Sequence, residues 1–228
     1  MPSLTDFKII LASKSPRRKF LLEEIGINFE VRTKETDETF PEDLKAQNIP
    51  LYLAQKKAEA FVSEIKDDEI IIAADTIVWL NNAVLNKPAG FDNAVQMLKQ
   101  LAGNMHEVFT GVCLMSKQKT KLFFDQSKVY FKKVSDEEIK KYVTNFSPYD
   151  KAGAYGAQEC LPEGMNPCSA EEIKFLASLK KENLIQKSIN KRQDVASEIV
   201  ERIEGSYFNV MGLPLCALHR ELLKFSGY

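Results

Sequence analysis

Histidine is nearly absent from this chain: His106 and His219 are the only two in 228 residues. The four cysteines, Cys113, Cys160, Cys168 and Cys216, are scattered and contain no C-x-x-C pair, so the ligand spacing of a structural zinc site is missing. No run approaches the ~18 to 20 apolar residues of a membrane span. Near the start, the apolar stretch Ile9 to Ala12 follows Lys8 and is too short for a signal-peptide core. A cytoplasmic protein with reduced thiols is expected, with no membrane partner. Charge of one sign is lacking too. The chain has 31 Lys+Arg against 32 Asp+Glu, a net charge of -1, so no global field draws a nucleic-acid polymer. Any anion site must be local. No internal repeat is evident.

What is present alternates between strand and helix. Phe7 to Ala12 reads as a short buried strand. Ser15 is placed to cap a helix that opens on Pro16, is striped by Phe20, Leu21, Leu22 and Ile25, and stops at Gly26. Asn28 to Val31 returns to extended structure, Glu35 to Glu38 reads as an exposed acidic loop, and Leu51 to Ile65 has helical spacing. Ile70 to Leu80 is a central strand rich in β-branched residues. The pair Asn81-Asn82 tolerates the positive φ of a tight hairpin, with a second strand from Ala83 towards Lys87. A helix over Asn93 to Ala102 closes on Gly103, and Glu107 to Met115 pairs with Leu122 to Lys132. A capping box at Ser135 and Glu138 starts the next helix. Asp150 to Gln158 is a glycine-punctuated loop. Glu159 to Glu204 turns charged and helical, with a second box at Ser169 and Glu172. Gly205 to Phe225 holds a short apolar strand and a helix begun at Pro214. The pattern is that of an α/β fold with a mixed sheet.

Two constellations carry chemistry. Ser13-Lys14-Ser15-Pro16-Arg17-Arg18 lies where a strand turns into a helix, so backbone N–H groups, the helix dipole and two guanidinium groups can converge on a phosphate. Asp75-Thr76 interrupts an apolar run. An ionised carboxylate there costs several kcal/mol unless a cation, a metal or several donors compensate it. A metal ligand or general base is therefore favoured over a carboxylate held only by backbone donors. Counting outward from Asn81-Asn82 pairs Leu80 with Ala83 and eventually Thr76 with Lys87, which would set an ammonium beside Asp75. Asp37-Glu38, Lys57 and Gln158 are unremarkable singly. Together, cations for phosphates and carboxylates for a hard metal meet the needs of phosphoanhydride hydrolysis.

These residues, in order, resemble the Maf family of nucleotide pyrophosphatases. The matching stretches are Leu11-Ala12-Ser13-Lys14-Ser15-Pro16-Arg17-Arg18, Asp37-Glu38, Leu53-Ala54-Gln55-Lys56-Lys57-Ala58, Ala74-Asp75-Thr76-Ile77-Val78, Lys87-Pro88 and Thr110-Gly111-Val112. Asp150 to Gln158 and Gly205 to Pro214 complete the series. The resemblance implies one domain over residues 1–228: a mixed twisted sheet flanked by helices, with two lobes around a nucleotide cleft as in inosine triphosphate pyrophosphatases. It implies hydrolysis of a nucleoside triphosphate to the monophosphate and pyrophosphate with a divalent metal, Mg²⁺ or Mn²⁺. By carry-over Asp75 is the catalytic proton acceptor and shares the metal with Glu38. Ser13, Arg17, Arg18, Lys57 and Lys87 bind phosphates. Arg17, Thr76 and Gln158 resemble the branch preferring dTTP and UTP, and a Gln amide matches the O4 and N3–H edge of uracil or thymine. A homodimer is left open. The charged stretch 159–204 reads as an insert relative to the family, open to a lid, a dimer contact or a solvated excursion, the last being favoured. The competing reading is a non-catalytic nucleotide-binding regulator of septum formation and cell division.

Overall fold

A computed structural model describes residues 6–189 and 198–227. The chain divides into two compact units. The first runs to Thr76 and adds Phe109–Asp125 and the residues from Gly212 on; the second is Ile77–Val108 with Gln126–Met211.

In the first unit, β1 (Lys8–Leu11) pairs in parallel with β2 (Phe29–Val31) and with β3 (Glu69–Leu80). Parallel neighbours need crossovers, and α1 (Pro16–Glu24) and α2 (Asn48–Glu59) supply them. Ser15 caps α1 by accepting the Arg18 N–H, and Pro16 holds the first helical position. Helix α2 is shorter than its periodicity predicts. After Glu59 the chain tightens into i→i+3 turns, which still keep Phe61 and Ile65 in the core. That core is made by Ile10, Ala54, Ala58, Ile71, Ala73 and Cys113 among others.

The sheet order is β2-β1-β3-β5-β6-β7, with β5 at Met105–Met115, β6 at Thr120–Phe131, β7 at Val200–Glu204, and β4 (Ala83–Leu85) paired to β3. Parallel and antiparallel pairs coexist, as the alternation of elements predicts. Asn81 and Asn82 have φ of 50° and 61°, so the hairpin turns where expected and Leu80 faces Ala83. The ladder ends at Val78–Leu85, two pairs short of the expected Thr76–Lys87 pairing.

The second unit packs α3 (Phe91–Leu101) and α4 (Asp136–Phe146), the latter opened by the Ser135–Glu138 capping box. It continues through α5 (Ala157–Cys160), α6 (Ala170–Leu179), α7 (Leu184–Ser188), β7 and α8 (Tyr207–Met211); α9 (Leu215–Ser226) ends the chain in the first unit. Two expectations need correction. Residues 159–204 are not helical throughout: Val200–Glu204 is a strand, antiparallel to β6 with Val129 facing Ile203, and part of the stretch, 190–197, lies outside the described residues. Its charged residues read as helix, but an edge strand also favours charge on its open face. Residues 207–211 form a helix, not a strand. The cause is Glu172 of α6, only 1% exposed, whose carboxylate accepts from Ser206 Oγ and from the N–H groups of Tyr207 and Phe208, filling the orphan donors of the helix start. Leu176 and Leu184 are also fully buried, so the described α6 and α7 part of the charged stretch is packed against the fold and is not a solvated excursion.

Candidate active site

The site of the first unit arises because β3 outlasts its neighbour. Strand β1 pairs with β3 only as far as Leu11 opposite Ile72, after which Ala12 N–H makes a last bond to the Ile72 carbonyl and the chain turns away through Ser13–Ser15 into α1. Beyond that point β3 changes from fully buried residues to the half-buried pair Asp75-Thr76. A crevice at the carboxyl end of a parallel strand is the usual ligand position in α/β sheets.

Arg18 takes over where β1 stops. Its Nη1 donates to the Ala74 carbonyl at 2.8 Å and to Ser13 Oγ at 3.4 Å, Nη2 donates to Thr76 Oγ1 at 3.0 Å, and Nε donates to the Gly212 carbonyl at 2.8 Å. Thr76 Oγ1 also lies 2.9 Å from Thr110 Oγ1. Burial lowers the Arg18 pKa, the Asp75 charge counteracts that, and Arg17 adds to the lowering. The guanidinium thus occupies the Ala74 carbonyl of β3, beyond the point where β1 stops pairing. Ser13 Oγ further accepts the Ser15 N–H, shaping the loop, and Arg17 is half-buried in the first turn of α1.

The cation on Asp75 is Lys57. Its Nζ lies 2.5 Å from Asp75 Oδ1 and 2.9 Å from Glu38 Oε1, with the lysine and Asp75 side chains 17% and 13% exposed. Helix α2 delivers Lys57 because Ala54 and Ala58 bury the adjoining face. Close packing of α2 on β5 requires Gly111, where a Cβ would sit 2.4 Å from the Pro50 carbonyl carbon and 2.5 Å from Leu51 N. Neighbouring acids divide between neighbouring lysines, since Asp37 pairs with Lys56 at 3.0 Å. A second carboxylate on β3 shows how a purely structural acid is treated. Glu69, wholly buried, receives both Nη atoms of Arg32 at 2.7 and 3.0 Å plus the Lys66 N–H, and these donors hold its pKa down. Asp75 has no such fork.

Among the described residues no three His, Cys, Asp or Glu side chains gather into a group that could hold a metal. Two hard carboxylates, Asp75 and Glu38, do converge on one cationic centre. Such a pair fits Mg²⁺ or Mn²⁺, which commonly takes one or two carboxylates with substrate phosphates and water.

Lys87 and Gln158 belong to the second unit. Lys87 is exposed after β4. The preceding residue, Asn86, accepts the Gly153 N–H at 3.3 Å, which ties the end of the hairpin to the 151–158 turn. Gly153 has φ 68° and lies against Val78, where a Cβ would come within 2.9 Å. Gln158 is in the short helix α5, not in a loop, and its buried Oε1 has no hydrogen-bond partner. Sequence reasoning missed Thr110 and Gly212, which contact Thr76 and Arg18, and the buried Lys151 and half-buried Glu159 beside Gln158. Thr110-Gly111 and Gly212 stand inside recognised motifs, but only the folded chain shows what they touch.

Residues 8–163 match a protein-family model described as Maf-like protein. A dTTP/UTP pyrophosphatase of Parabacteroides distasonis is 41% identical over 99% of this chain and 100% of its own. Proteins of the same name from Flavobacterium psychrophilum and Phocaeicola vulgatus are 47% and 43% identical, over 95% and 98% of this chain and 93% and 99% of theirs. The first relative is thus nearly equal in length, and the charged stretch does not set this chain apart from it. Among solved structures, the Ham1 protein of Staphylococcus aureus aligns with a TM-score of 0.41 at 16% identity, over 54% of this chain and 71% of that one, a likeness too slight to argue from. No helix among the described residues is long and apolar enough to cross a membrane.

Proposed function

The chain belongs to the Maf-like protein family, and from that membership we propose that it is a nucleoside triphosphate pyrophosphatase that cuts dTTP and UTP between the α- and β-phosphates. The observation that carries this reading is Asp75, a carboxylate in the middle of an apolar strand, held by the ammonium of Lys57 instead of by the donor fork given to Glu69. A carboxylate so placed retains lone pairs for a water. Asp75 accepts a proton from that water as its oxygen bonds to the α-phosphorus; the bond from the α-phosphorus to the bridging oxygen breaks, and pyrophosphate leaves with the electron pair.

Arg17 and Lys57 neutralise the phosphate oxygens, and Arg18 holds the Ala74 carbonyl, the Thr76 hydroxyl and Ser13 in place. A divalent metal held by Asp75 and Glu38 would add Lewis-acid neutralisation of those oxygens. Gln158 Oε1, buried and without a hydrogen-bond partner, is satisfied by the N3–H of uracil or thymine, while its amide N–H₂ meets O4. Cytosine presents an acceptor at N3 and a donor at position 4, and is rejected.

The test incubates the purified protein with dTTP, UTP, CTP and 7-methyl-GTP, with Mg²⁺ or Mn²⁺, and measures pyrophosphate. Release from dTTP and UTP above the others supports the proposal. Binding without release would leave a nucleotide-binding regulator instead.

A further inference from the structure

The second unit contains a buried ionic network that the hydrolysis itself does not use. Lys151 and Glu159 stand at the two ends of the turn that presents Gln158. Their side chains are 10% and 7% exposed, and Lys151 Nζ lies 3.5 Å from Glu159 Oε1. Tyr142, wholly buried on α4, donates to Glu159 Oε2 at 2.7 Å and accepts the Gly156 N–H at 3.0 Å. Burial raises the Tyr142 pKa well above its ordinary value, so the hydroxyl remains a donor. The turn is therefore braced at its start, its middle and its end.

Gly156 connects this brace to Gln158. A Cβ on Gly156 would lie 2.9 Å from Gln158 Nε2 and 3.0 Å from Glu159 Oε2. The amide and the carboxylate thus both rest against the bare Gly156 backbone. A buried ion pair is a weak source of net stability compared with apolar packing, so its presence calls for another role. Fixing a neighbouring polar group in one orientation is such a role.

We propose that Glu159, held by Tyr142 and Lys151, is the positioning residue that orients the Gln158 amide for reading a uracil or thymine edge. This inference rests on the pyrophosphatase reading of Gln158. Glu159 touches no substrate; it acts through the turn, whose small displacement would move the amide out of hydrogen-bond reach.

Two variants of the full chain test it, Glu159→Gln and Tyr142→Phe. The latter keeps the buried ring and serves if the former does not fold. Two readouts are taken on each: the ratio of kcat/KM for UTP over CTP, and the side-chain amide resonances of Gln158 by NMR without nucleotide. The expected result is a ratio lowered about tenfold or more, with the Gln158 amide signals broadened or shifted. A merely structural role would lower both nucleotides in parallel, leaving the ratio and the amide signals as in the wild type, and would overturn the proposal. If the wild type releases no pyrophosphate, the pyrophosphatase reading falls by itself. The amide signals then decide the brace: disturbed signals support it and unchanged signals overturn it.

Discussion

Replacing Arg18 with lysine keeps the charge and removes the planar fork, which separates the two contributions of this side chain. The guanidinium reaches four protein acceptors in different directions: the carbonyls of Ala74 and Gly212, Thr76 Oγ1 and, more weakly, Ser13 Oγ. An ammonium at the end of a lysine stem cannot span all of them, so at least two of the three shorter bonds are lost. Hydrogen bonds to charged groups contribute ~1.5–3 kcal/mol each, which puts the expected destabilisation of Arg18→Lys at about 3–6 kcal/mol. Urea unfolding at constant pH measures it as a lower midpoint with an unchanged slope. Turnover should fall as well, because Ala74 and Thr76 flank Asp75. A variant within about 1 kcal/mol of the wild type, with undiminished turnover, would refute the idea that Arg18 ties Ala74 and Thr76 of β3 to Ser13 and Gly212.

Two further outcomes are expected. Burial pushes His106 down to about 3 from its ordinary 6.5; the unfolded chain then binds a proton that the folded chain refuses as pH falls below 6.5. Stability should decline through that window, by about 2 kcal/mol from this residue at pH 5, and His106→Gln should flatten the dependence of the melting temperature between pH 7 and 5. Gly111→Ala places a methyl against the Pro50–Leu51 backbone and should displace α2, and Lys57 with it; a loss of ~3 kcal/mol in unfolding experiments with reduced pyrophosphate release is the expected outcome.

Local chemistry was legible in the sequence. The Asn81-Asn82 turn, the Leu80–Ala83 register, the Ser15 cap and both capping boxes depend on residues a few positions apart, and they form as read. Asp75 stood out because a charge amid β-branched residues is costly wherever the strand lies. Its partner was not legible. Hairpin counting pointed to Lys87, but the ladder stops at Leu85, and the cation comes from α2 through helix-on-sheet packing that spacing along the chain does not encode. The same limit explains α8, which has strand-like residues yet is helical because Glu172, distant in sequence, occupies its first N–H groups. Glu69 was hidden for a similar reason: its burial became visible only with Arg32 folded against it.

The most direct test of the account is Asp75→Asn, which preserves the side-chain shape while removing the proton acceptor. With folding verified by an intact cooperative unfolding transition, pyrophosphate release from dTTP should fall by about 10²–10⁴-fold, the usual contribution of a general base. A folded Asp75→Asn protein that releases pyrophosphate at the wild-type rate would contradict it.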